Sequence, residues 1–158
     1  MAVALAKHMA GALVVATDVS TDALEVAHTN AQRHGVGERV SLREGDLLAA
    51  LEGEERFDVI VSNPPYIPDD EWGDVPANVK DHEPGIALRG GVDGLEFVRR
   101  LLSGAPGLLV EGGLLLVEVA ASRAEEAAGL ARGNGKLRDV EVVRDCEGLL
   151  RVVVARRK

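Results

Sequence analysis

The sequence predicts an α/β fold built on a mostly parallel sheet with an antiparallel edge at its carboxyl end. Three observations predict it. Short β-branched apolar runs alternate with helix-period segments as far as residue 119, the order expected of parallel strands joined by helical crossovers. The last two apolar runs are instead separated by the tight turn Asp145-Cys-Glu-Gly148, which suits an antiparallel pair. Between these regions the run Phe57 to Val61 stops at Ser62-Asn-Pro-Pro65. Two prolines forbid both ladder hydrogen bonds and helix, so a buried strand ends there on a stiff loop. Open α/β sheets bind ligands at such carboxyl ends.

Residues 2–9 are rich in Ala and Leu and have no cap before them, which predicts a helix entered midway and ended by Gly11. Leu13 to Thr17 predicts a strand closing on Asp18. Ser20 is placed as the N-cap of a helix through Arg33, with Gly35 and Gly37 beyond its end. Val40 to Leu42 predicts a short strand ending at Gly45-Asp46, then a short helical stretch to Leu51. Phe57–Val61 is expected to be buried, in a sheet covered on both faces. Residues 68–91 read as irregular, and a connection this long inside a compact domain is usually functional. Asp93 to about Leu102 places Leu95, Val98 and Leu102 on one helix face. Gly112-Gly113 is expected to turn into the strand Leu114–Val119, and residues 122–132 form an Ala-rich helix. Val140–Val143 and Leu149–Ala155 make the closing pair. Residues 1–158 are expected to form one domain.

Composition narrows the function classes. The 158 residues carry 18 basic and 26 acidic side chains, a net charge of −8. That charge disfavours phosphate backbones as partners, so no direct nucleic-acid partner is expected. The core must be aliphatic, because only 3% of residues are aromatic. One cysteine, Cys146, allows no internal disulfide and no thiolate cluster, which fits a reducing cytoplasm. The histidines His8, His28, His34 and His82 share no metal-like spacing, so no metal is expected. No apolar run is long enough for a membrane-spanning helix, and no signal-peptide layout opens the chain. The basic residues Arg151, Arg156, Arg157 and Lys158 read as a solvated tail.

The loop after Phe57–Val61 is built from acceptors. Neither Pro64 nor Pro65 offers an N–H, so carbonyls and the Asn63 amide oxygen dominate its polarity. An amino group would donate one hydrogen to Asn63 and one to the Pro64 carbonyl, with Tyr66 flat against the group that carries it. Such a clamp orients a weakly nucleophilic planar nitrogen and stabilises it as it rehybridises. A rigid Pro-Pro turn ending a strand is the competing explanation. Asp18, at the end of its strand, is positioned to take both ribose hydroxyls of an adenosine; alternatively it is a helix-start carboxylate favoured by the helix dipole. Asp46 would accept from an adenine amino group, with Val19 and Leu47 sandwiching the ring, or else cap the stretch after it. Trp72 and the acidic run Asp69-Asp70-Glu71 read as a mobile flap or as a solvated loop. Glu118, at the end of a buried strand, faces the ligand crevice or serves backbone donors.

Asn63-Pro-Pro-Tyr66 after an apolar strand resembles the signature of amino-group methyltransferases that use S-adenosylmethionine. The resemblance sharpens along the chain. Asn63-Pro-Pro-Tyr-Ile-Pro68, Asp81-His-Glu-Pro84, Ala87-Leu88, Gly90-Gly91, Asp93-Gly-Leu95, Phe97, Arg99-Arg100 and Gly112-Gly-Leu-Leu-Leu-Val-Glu118 are together similar to the HemK/PrmC family. That resemblance implies a Rossmann-like class I methyltransferase fold. It also implies methyl transfer from S-adenosylmethionine, leaving S-adenosylhomocysteine, to the glutamine side-chain nitrogen in the Gly-Gly-Gln motif of peptide-chain release factors. In the family Asn63 and Pro64 hold the amide and Tyr66 packs on it. The reading of the residues adds Pro65 at the substrate and Asp18, Val19, Asp46, Leu47 and Asn63 at the cofactor. Departures are also present. The family's Asp-x-Gly-x-Gly-x-Gly loop, the first strand before it and the amino-terminal helical domain have no counterpart in the sequence, which reads as a truncated catalytic domain. The segment before Arg151 also lacks expected polar residues. Two alternatives stand beside this reading. One is a methyltransferase of nucleic-acid amino groups; the other is an inactive fragment that at most binds a partner.

Overall fold

The structure is a computed structural model and describes residues 1–51, 56–82 and 84–158. The chain divides into two compact units, Met1–Gly53 and Glu54–Lys158. Among the described residues the expected single sheet is two: one of two strands and one of four.

The first unit holds α1 (Ala2–His8), β1 (Val14–Asp18), α2 (Thr21–Arg33) and β2 (Val40–Glu44). β1 and β2 pair in parallel with Val14 opposite Val40 and Asp18 opposite Glu44. Ser20 caps α2 as expected, its Oγ accepting from the Ala23 N–H at 3.2 Å. The core of this unit is small and aliphatic: Ala6, Ala31 and Val36, with Val3, Val14 and Val40 packed against them. The stretch after β2 is a correction. It forms successive turns rather than a helix, with Ala49 N–H bonded to Asp46 O at 3.0 Å and Leu51 N–H to Leu48 O at 3.1 Å. The reason is Leu47, whose φ of 52° lies in the left-handed region and interrupts any helix.

The second unit holds β3 (Phe57–Ser62), α3 (Ala77–His82), α4 (Glu96–Leu108), β4 (Leu109–Glu118), α5 (Ala124–Gly133), β5 (Leu137–Arg144) and β6 (Leu150–Arg157). Its strand order is β3-β4-β6-β5. β3 and β4 are parallel, and β6 is antiparallel to both β4 and β5. The predicted closing pair is therefore present, with the last strand inserted between its partners. One face is well packed. α4 lies on β4 and α5, and α5 lies on β5 and β6. Val98, Leu101, Leu102 and Ala105 of α4, four alanines of α5, and Leu115 and Val117 of β4 are all buried. The other face is less covered, and β3 is an edge strand of this sheet with Val59 and Val61 exposed. The expectation of a buried strand in a sheet covered on both faces is corrected here. Among the described residues β3 has one hydrogen-bonded neighbour, β4, and Ile60 is its one buried residue.

Three further boundaries differ from expectation. α4 starts later, at Glu96, and runs on to Leu108 through Pro106. Pro106 has no N–H for the Leu102 carbonyl four residues back. The Asn134 side-chain amide supplies that donor instead, at 2.7 Å. β4 starts at Leu109, before Gly112-Gly113, because the extra residues are absorbed as an irregularity between the pairs Phe57–Leu109 and Val59–Leu114. Residues 68–91 contain α3 and two single turns of 3₁₀ helix, Trp72–Asp74 and Gly85–Ala87. Nor is the basic carboxyl end a solvated tail. Arg156 and Arg157 belong to β6 and donate to the Gly112 and Leu109 carbonyls of β4.

Candidate active site

The residues singled out from sequence fall into two groups, each inside its own unit. The first group stands at the carboxyl ends of β1 and β2. Parallel pairing brings these ends together, and the Gly45 N–H donates to the Asp18 carbonyl at 3.0 Å. Asp18 is exposed. Its Oδ1 accepts from the Ser20 N–H at 2.9 Å, which orients the carboxylate while α2 begins. Val19 is about half exposed, at 47%. On the neighbouring strand end Asp46 is exposed and Leu47 half-buried. The Thr17 hydroxyl donates to the Leu47 carbonyl at 2.8 Å. It thereby ties the left-handed Leu47 to β1. The sequence reading missed Thr17, whose only signal is its place as the penultimate residue of β1.

The second group stands at the carboxyl end of β3. Asn63 is exposed, Pro64 buried, and Pro65 and Tyr66 half-buried. Among the described residues the Asn63 side chain makes no hydrogen bond. An amide oxygen facing solvent beside a buried proline is an acceptor available to a ligand. The chain after Tyr66 is pinned. Ile67 donates to the Leu88 carbonyl at 2.9 Å, and Gly90 donates back to Ile67 at 2.8 Å. A parallel bridge joins Ile67 to Arg89. Asp93 then anchors the start of α4, accepting from the Leu95 N–H at 3.1 Å and from Arg99 at 3.0 and 2.5 Å. The Arg99 guanidinium, followed by the Leu95 N–H, holds the Asp93 carboxyl down from 3.8 to about 2. In turn Asp93 pushes the Arg99 guanidinium upward.

The acidic run carries specific contacts. Asp69 pairs with Arg89 at 2.8 Å, and Glu71 lies 3.9 Å from Arg123. The Trp72 ring has the Lys80 ammonium 5.6 Å and the Arg89 guanidinium 5.4 Å from its centre. Of the Asp81-to-Pro84 motif, Glu83 lies outside the described residues. Glu118 is half-buried at the end of β4, opposite Val152. Among the described residues no cluster of His, Cys, Asp or Glu fits a metal ion, and no helix is long and apolar enough to cross a membrane.

The profile of the family described as methyltransferase small domain matches residues 1–75, which take in both strand-end groups. The release factor glutamine methyltransferase of Moorella thermoacetica is 44% identical over 158 residues, covering 100% of this chain and 55% of that protein. The chain is similar along its length to proteins named release factor glutamine methyltransferase. It spans about half the length of the curated relatives it matches. The ribosomal protein uL3 glutamine methyltransferase of Bordetella pertussis is 46% identical over 112 residues, 71% of this chain and 37% of that protein. Among solved structures, a methyltransferase from Pyrococcus furiosus superposes with a TM-score of 0.67 at 22% identity, over 98% of this chain and 67% of that one. The fold is that of the Rossmann-like class I methyltransferases.

Proposed function

We propose that residues 1–158 are a methyltransferase catalytic domain that acts on the glutamine side-chain amide in the Gly-Gly-Gln motif of peptide-chain release factors. The observation that carries this reading is the Asn63 amide, exposed and without an internal partner among the described residues, beside the buried Pro64 at the end of β3. Two relatives support the acceptor. Both the release factor and the uL3 enzymes are named for glutamine. The release factor enzymes match the whole chain, which favours their substrate.

S-adenosylmethionine supplies an electrophilic methyl group on a sulfonium. The strand ends of the first unit fit its adenosine half: an exposed carboxylate at Asp18 for the paired ribose hydroxyls, Asp46 for the adenine amino group, and Val19 and Leu47 for the ring faces. In the second unit Asn63 Oδ1 accepts one hydrogen of the glutamine amide and the Pro64 carbonyl accepts the other. Tyr66 packs on the amide plane, with Pro65 keeping the loop stiff. An amide nitrogen is a poor nucleophile because its lone pair is delocalised. Two fixed acceptors hold it in line and stabilise the positive charge it gains as planarity is lost. No ionisable base is required, since the product sheds its proton to water after transfer.

The test is methyl transfer to a release factor, with the Gln→Ala version of its Gly-Gly-Gln motif as control. Asn63→Ala is expected to lower turnover on the order of 100-fold or more, with cofactor affinity much less affected. Near-normal turnover of Asn63→Ala, or methylation of the control as fast as the parent, would overturn the clamp. Tyr66→Phe is expected to be mild, because the ring face rather than the hydroxyl makes the contact.

A further inference from the structure

Tyr66 has to be held in place, yet β3 does not hold it. The strand ends at Ser62, and neither of the prolines that follow has an N–H to donate. We propose that the turn from Leu88 to Leu95 is the frame that positions Tyr66, with Gly94 as the positioning residue that sets its carbonyl. The inference rests on the methyl-transfer reading above and names residues that reading does not use.

Two glycines lie against the Tyr66 backbone. A Cβ added at Gly94 would stand 2.5 Å from the Tyr66 carbonyl oxygen and 3.1 Å from Pro68 Cγ, and Gly94 has a φ of +74°. A Cβ at Gly90 would stand 2.7 Å from Tyr66 Cα and 2.9 Å from Gly94 Cα. These approaches are closer than any side chain permits, so the frame and the Tyr66 backbone share one packed surface. Hydrogen bonds continue it on the far side of Tyr66: Ile67 N–H to Leu88 O at 2.9 Å, Gly90 N–H to Ile67 O at 2.8 Å, and Asp69 N–H to Gly91 O at 3.0 Å. The frame is in turn fastened to α4. Glu96 N–H reaches the Gly90 carbonyl at 3.3 Å, and Asp93 holds Arg99 one turn into the helix. Val98 and Leu101 bury α4 in the core. A core-packed helix therefore fixes the clamp's ring through a turn that holds Gly90, Gly91 and Gly94, and an error of about an ångström at this turn is enough to spoil alignment of the amide.

The chain has a single tyrosine, so 3-fluorotyrosine labelling reports Tyr66 as one fluorine resonance. Gly94→Ala is expected to move that resonance and to lower kcat for methyl transfer about tenfold or more, with cofactor affinity changed by less than about twofold. Gly148→Ala is the control. Gly148 has a comparable φ of +82° but nothing within 4 Å of its added Cβ, so it carries the same backbone strain without touching Tyr66. An unmoved resonance in folded Gly94→Ala, or an equal shift in Gly148→Ala, overturns the proposal. If Gly94→Ala does not fold, Asp93→Asn takes its place. It keeps an acceptor for the Leu95 N–H and removes the charge facing Arg99, and a smaller shift in the same resonance is expected; none overturns the proposal. If the parent transfers no methyl group, the proposed function fails, and the fluorine resonance alone decides the positioning claim.

Discussion

Asp93 is an exposed carboxylate, yet its pKa is held down to about 2 by hydrogen bonds from Arg99 and from the Leu95 N–H. Because its folded-state pKa lies below the unfolded value, its stabilisation is present above the ordinary carboxylate range. It is lost as pH falls through about 2. Asp145 adds in the same direction, its carboxyl lowered first by the Leu149 N–H and further by the Glu147 N–H and Arg151. Thermal melts between pH 4 and pH 2, about the range of these shifts, should fall less steeply for Asp93→Asn than for the parent. An identical acid limb in the two proteins would show that this exposed pair contributes nothing, as many surface pairs do. The candidate site residues of the proposed function were picked out from sequence at this scale. Asn63, Pro64 and Tyr66 fall in the motif Asn63–Tyr66 after an apolar run, and Asp18 ends an earlier such run. Thr17 and Gly94 were not assigned their roles, because each acts on a residue 28 or more positions away, and local pattern carries no record of such contacts.

The helices show how a local defect is mended from a distance. Pro106 leaves the Leu102 carbonyl without its helical donor, and Asn134, the C-cap of α5, donates to it at 2.7 Å. The contact joins α4 to α5 on the packed side of the sheet. Asn134→Ala is expected to destabilise the protein by about 1–2 kcal/mol, the cost of leaving a part-buried carbonyl unpaired. Pro106→Ala restores an N–H to the helix, so in that background the loss at Asn134 should shrink. A double-mutant cycle by urea denaturation reads this directly; strict additivity would mean that Asn134 acts elsewhere. A proline discourages helix locally, and the compensating amide lies 28 residues further on.

At the scale of the whole chain, the two units carry different halves of the proposed chemistry. Hydrogen exchange separates them. S-adenosylhomocysteine is expected to protect amides at residues 14–19 and 44–48, at the carboxyl ends of β1 and β2. A Gly-Gly-Gln peptide is expected to protect residues 66–69 and 88–91. Protection by the cofactor product confined to the second unit would overturn the assignment of Asp18 and Asp46. Alternation of strands and helices, the closing hairpin and the acceptor-rich loop are properties of contiguous sequence, since periodicity and proline chemistry act over a few residues. They sufficed for the α/β class, the parallel and antiparallel pairings, and the resemblance to the HemK/PrmC family. Tertiary structure alone decided that β6 lies between β4 and β5 and that Val59 and Val61 of β3 are exposed. Those outcomes depend on which strands find hydrogen-bonding neighbours, a property of distant pairs that no single segment encodes. The proposed frame around Tyr66 is of the same kind: its motif residues were visible in sequence, but a Cβ at Gly94 would stand 2.5 Å from the Tyr66 carbonyl oxygen, a close packing that only the folded chain creates.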